Sequence, residues 1–148
     1  MKTLALAVLT LSIALTPVYA AEELSGEKLN WVMTSIHDET VECWAYYGLV
    51  GSFGTISGDN KLASQLKPIL DLINQRIENL GKIINIKDEA VAAKFVLVLK
   101  KLEKILDGNP SNFPILIAKY GDSCQWAIEN VQPRIDFYTA QYEKKFEN

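Results

Sequence analysis

Few residues in this chain could do chemistry. There is one histidine, His37, with Asp38 beside it and Glu42 five positions on. An imidazole next to carboxylates can act as a general base, but nucleophilic catalysis needs a serine or cysteine converging on it. Cys43 stands on the same stretch, which reads as helix, and six helical steps turn it to a different side. Haem offers no better fit. Covalent attachment takes Cys-x-x-Cys-His, which is absent, and Met33 and His37, four apart on one helix, cannot clamp a ring from both faces. A di-metal carboxylate site takes a pair of Glu-x-x-His motifs, which one histidine cannot supply. Zinc takes three or four convergent ligands, whereas His37, Asp38 and Glu42 read as one solvated face. The run GLVGSFGTISG has glycines but neither the strand before it nor the lysine after it that a phosphate loop requires. The sequence therefore assigns no catalytic residue, no metal and no cofactor, and the expectation is of a protein that is not an enzyme. An enzyme using His37 with Glu42 or Asp38 ranks last among the readings.

The two cysteines, Cys43 and Cys124, belong to a different kind of chemistry. The chain opens MKTLALAVLTLSIALTPVYA. Lys2 is a positive n-region, Leu4 to Leu15 an apolar h-region, and Val18-Tyr19-Ala20 a small-x-small cleavage pattern after Pro17. Residues 1–20 are thus expected to be a cleaved signal peptide, and residues 21–148 a single helical-bundle domain in the periplasm or secreted. In an oxidising compartment an even cysteine count predicts pairing, here a Cys43–Cys124 disulfide.

The mature part would hold 148 − 20 = 128 residues, and losing Lys2 moves the net charge from −3 to −4. A mildly acidic domain without a basic stripe excludes nucleic acid as the expected partner. No later stretch is long and apolar enough for membrane insertion of the mature chain.

The elements that must position these residues read as helices. The first should start near Ser25, with Leu29, Val32, Ile36, Thr40, Cys43, Tyr47 and Val50 on one face. His37, Asp38 and Glu42 fall away from that seam. From Thr40 to Gly58 the only charge is Glu42, and the helix becomes apolar nearly all round, the mark of a central or covered rod. Gly48, Gly51, Gly54 and Gly58 are expected to loosen its end, with Asp59 capping the second helix.

In that second helix Leu62, Leu66, Ile69, Ile73, Ile77, Leu80 and Ile84 step by threes and fours through Pro68, where a kink is expected. The third runs through Val91, Phe95, Val98, Leu102 and Ile105 to Gly108-Asn109-Pro110. In the fourth, Phe113, Ile117, Tyr120, Cys124, Ile128, Val131, Ile135, Tyr138, Tyr142 and Phe146 keep phase through Pro133. The expected fold is all-α: a four-helix up-down-up-down bundle with one disulfide and a long C-terminal helix kinked at Pro133. That topology brings Cys43 and Cys124 to one end of the bundle.

Aromatic density remains. Trp44, Tyr46, Tyr47 and Phe53, with Trp126, Tyr120 and Phe113, can fill a core, line an apolar pocket or form a contact surface. Glu42, Trp44, Tyr46, Tyr47, Phe53 and Trp126 make the candidate binding surface, and Gly48 to Gly58 and the tail from Tyr138 the candidate contact segments. The resulting expectation is an exported protein-protein interaction module with a protein partner. A carrier holding a small apolar ligand near Trp44, Tyr47 and Trp126 is the alternative.

Overall fold

The computed structural model describes residues 26–147, so the expected signal peptide lies outside the described residues. The described chain is helical throughout its regular structure, with α1 (Gly26–Ile56), α2 (Asn60–Ile83), α3 (Asp88–Leu106), α4 (Phe113–Glu129) and α5 (Val131–Phe146). A 3-10 turn, Pro110–Asn112, precedes α4. Among the described residues no strand occurs. No helix among them is long and apolar enough to cross a membrane.

Helix α1 is the axis of the molecule, and each of the other four helices packs against it. The cause is composition: beyond Thr40 it has no polar side to give to water, so burial on all sides is its stable state. Its seam residues Val32, Ile36, Thr40, Cys43 and Val50 are all buried. Helix α2 covers one side with Leu66, Ile73, Ile77 and Leu80, the phase expected from the sequence. Val98 and Leu102 of α3 and Leu116, Tyr120 and Cys124 of α4 complete the core. At the other end Trp31 meets Tyr138, Tyr142 and Phe146 of α5 at ring-centroid distances of 6.2, 5.7 and 6.1 Å.

Cys43 and Cys124 form the disulfide, with Cα atoms 5.3 Å apart and a sequence separation of 81. It ties α1 to α4. In the chain-entropy account, closing a loop of that size stabilises the fold by up to about 4.5 kcal/mol.

One local expectation changes. The glycines do not loosen α1. Gly48, Gly51 and Gly54 lie within the helix, and only Gly58, at φ +80°, turns the chain, after which Asp59 Oδ1 accepts from the Leu62 N–H at 3.0 Å. Gly54 is there for proximity: a Cβ on it would stand 3.0 Å from Leu62 Cδ2. The tail from Tyr138, a candidate contact segment, packs on the fold through Tyr138 and Tyr142 against Trp31.

The C-terminal rod is two helices, giving five among the described residues where four were expected. The chain breaks at Asn130 (φ −123°, ψ 67°), three residues before Pro133. In a continuous helix the Pro133 ring would press on the Glu129 carbonyl and leave it without a donor. The break instead puts Pro133 in the first turn of α5, where a missing N–H costs nothing. Freed carbonyls at the end of α4 then need donors. Arg76 of α2 supplies them, its guanidinium donating to the carbonyls of Ala127 at 3.2 Å and Ile128 at 3.0 Å. Burial pushes the Arg76 guanidinium pKa below its usual value, yet it stays charged and suits the negative end of α4. The break also shifts the helical phase. Val131, expected on the core seam, is exposed, and Arg134 is buried.

Candidate functional site

On α1, Asp38 and Glu42 are one helical turn apart and share a face, while Glu39 is turned about 100° away. On α3, Lys94 and Lys101 are two turns apart and share a face as well. The two faces meet: Lys94 pairs with Asp38, and Lys101 with Glu42 at 2.6 Å. Glu39 pairs instead with Arg134 of α5. Ser35, Asp38, Glu42, Lys94, Lys101 and Tyr138 thus line an open cleft of about 440 Å³ between α3 and α5, floored by α1.

The charges in this cleft are tuned by one another. Burial of Asp38 would raise its carboxyl pKa, but the interactions with His37 and Lys94 outweigh that and hold it below the usual carboxylate value. The Glu42 carboxylate accepts a hydrogen bond from Lys101 and raises the ammonium pKa against the opposing effect of desolvation. Burial, and then the charge of Glu39, push the Tyr138 phenol up.

His37 departs from expectation. Helical phase puts it on a solvated face, but it is 0 % exposed, and neither ring nitrogen has a hydrogen-bond partner among the described residues. Its Nδ1 is 3.7 Å from Asp38 Oδ1, too far for a hydrogen bond. Neighbouring helices close over α1 at His37, while Asp38, one residue on, still faces the open cleft. Enclosed in this way, the ring presents no atom to a molecule outside.

The second feature adjoins the cleft through Tyr138. Arg134 is 9 % exposed and is fixed from several directions. Glu39 pairs with it, and its Nη2 donates to the Tyr138 hydroxyl at 2.9 Å. The rings of Trp126, Phe137 and Tyr138 lie 4.9, 5.0 and 4.7 Å from its guanidinium carbon. Arginine is suited to this because its planar, weakly hydrated group stacks on aromatic faces while its edge pairs with a carboxylate. Trp126 and Phe137 are 40 % and 45 % exposed, so the cluster has a buried ionic base and an open aromatic top.

The six residues of the expected binding surface occupy separate environments. Tyr46 is buried, stacked on Tyr120 at 5.9 Å and edge-on to Tyr47 at 5.0 Å. Phe53 is half-buried and stacks on Phe113 at 4.4 Å. Trp44 packs on Phe95 of α3 at 4.4 Å and lines a groove of about 640 Å³ between α2 and α3, with Ile77, Ile86 and Val91. Glu42 lies in the charged cleft, and Trp126 stands in the arginine cluster.

Sequence reasoning missed Glu39, Arg134 and Phe137, and it placed Tyr138 only on a core seam and at the start of the tail. One signal was available. The chain has only two arginines, Arg76 and Arg134, against thirteen lysines, and both serve where a fork of donors is needed. Among the described residues no cluster of three or more metal-ligating side chains forms. No protein-family profile, curated protein or solved structure matches this chain.

Proposed function

We propose that this is an exported protein of the periplasm or extracellular space that acts by binding a protein partner, with Trp126, Arg134 and Phe137 at the centre of the contact. The observation that carries this reading is the exposed Trp126–Phe137 pair on a guanidinium held by Glu39 and Tyr138. Tryptophan, tyrosine and arginine dominate binding hot spots, the aromatic residues because they bury much area at low entropic cost. Here the side chains are already ordered before any partner arrives, which lowers the cost of association. Export is supported by the leader pattern in residues 1–20 together with the disulfide. In this reading α4 and α5 together make the fourth rod of an up-down-up-down bundle, broken at Asn130.

The test is affinity capture from an envelope extract with the oxidised mature chain. A partner retained by the wild type should be lost with Trp126→Ala/Phe137→Ala and kept with the exposed control Gln65→Ala. Retention that ignores the double substitution would refute the assignment.

A second reading has its own observation. The α2–α3 groove beside Trp44 falls in the size range of small-molecule sites and has Trp44, Ile77, Ile86 and Val91 in its lining. Carriage of a small apolar ligand there predicts quenching of Trp44 fluorescence by a bound naphthalene dye, removed by Val91→Asp.

A further inference from the structure

Helix α3 is more apolar than its packing requires. From Ala90 to Leu99 the only polar residue is Lys94, which is taken by Asp38. The face toward α1 buries Val98 and Leu102, but the opposite face leaves Val96 47 % and Leu97 67 % exposed. At 100° per residue, Glu89, Ala93, Val96, Leu97, Lys100 and Lys104 fall within one stripe on that outer face. All six are exposed. Neither Glu89, Lys100 nor Lys104 forms an ion pair with another described residue.

The stripe is complementary to itself. Its acid, Glu89, is at the N-terminal end and its bases at the C-terminal end, with two aliphatic side chains in the middle; Glu103 lies about 20° outside the edge marked by Val96. We propose that it is a docking face for a second copy of this chain, with the two α3 helices antiparallel about a two-fold axis between Val96 and Leu97. That register sets Val96 against Leu97 of the other copy, Ala93 against Lys100, and Glu89 against Lys104, twice over by symmetry. The distance from Glu89 to Lys104 along the axis is about 22 Å, so both ionic ends lie within one helix–helix contact. Ala93 has no bulk to hold the rods apart, which allows interaxial spacing near the usual 8–10 Å. A parallel pairing is disfavoured, since it would set acid on acid and base on base. Antiparallel helix dipoles add to the same preference. The surface is separate from the Trp126–Arg134 contact, so either can fail without the other.

Sedimentation equilibrium of the oxidised mature chain tests this. The expected result is a reversible dimer that weakens as salt is added, because the ends are ionic. Leu97→Asp should abolish it while helical circular dichroism is unchanged; Leu97→Ser serves if the aspartate disturbs folding. Glu89→Lys and Lys104→Glu should each weaken the dimer about tenfold, and the two together should restore it, since each copy then offers the reversed pair. A chain that stays monomeric at every concentration overturns the proposal and leaves this face to a different partner or to solvent. So does a dimer that Leu97→Asp leaves intact, or a charge swap that fails to recover affinity.

Discussion

Replacing Glu39 with glutamine examines the ionic base of the aromatic cluster directly. The side chains of Arg134 and Glu39 are only 10 % and 20 % exposed, so the pair is largely out of water. Removing one member of a buried pair typically costs about 3–5 kcal/mol, mostly because the remaining charge is left uncompensated. Here Arg134 would keep the Tyr138 hydroxyl and the faces of Trp126 and Phe137, and Glu39 is not fully buried. The expected loss is therefore smaller, about 2–3 kcal/mol. In guanidinium chloride that moves the unfolding midpoint of the oxidised chain down by about 0.6 M. Removing both charges tells more. Glu39→Leu with Arg134→Met leaves no charge to strand and should fall within about 1 kcal/mol of wild type, as apolar replacements of buried pairs commonly do. The cycle formed with the single variants should then show strong coupling. Additive losses, or a Glu39→Gln variant as stable as wild type, would mean that water reaches the guanidinium and that the cluster is not prearranged.

The remaining predictions concern the frame around the cluster. Reducing the Cys43–Cys124 bond should remove up to about 4.5 kcal/mol by opening the closed loop and raising the entropy of the unfolded chain, measurable as a drop in Tm with dithiothreitol; an unchanged Tm would contradict this. Gly48 has nothing within 4 Å of where a Cβ would sit, so Gly48→Ala should stabilise α1 by roughly 0.5–1 kcal/mol. Gly54→Ala gains the same propensity but meets Leu62 Cδ2 at 3.0 Å, so its net effect should be zero or destabilising. Equal gains at both positions in thermal melts would refute the close approach of α2. Asp38 titrates below the usual carboxylate value in the folded chain, so its contribution is complete above about pH 4 and lost as pH falls through its lowered pKa. The stability difference between wild type and Asp38→Asn should therefore shrink toward acid in a urea series; a difference independent of pH would refute the pairing with Lys94.

Much of the frame was legible in the sequence because it depends on local periodicity. The threes-and-fours rhythm of α2 put Leu66, Ile73, Ile77 and Leu80 on one side, and all four are buried. Asp59 and Gly58 announced the first turn, and helical phase placed both cysteines on core faces before their bond was seen. The central place of α1 was implied by its lack of a polar side.

What the tertiary structure decided depends on partners far apart in the chain. Pro133 signalled trouble in the last rod, but the break at Asn130 is held by Arg76, more than fifty residues earlier. Gly51 and Gly54 look like flexible joints until Leu62 and Leu66 are laid against them. His37 falls off the seam of α1 and is still buried, because a helical wheel records direction around one rod and not how many rods surround it. Glu39 and Arg134 are 134 − 39 = 95 positions apart, and the phase shift at Asn130 helps bring them together. Period and capping are properties of neighbouring residues along a chain, whereas the pairing of a charge depends on which helix stands opposite it.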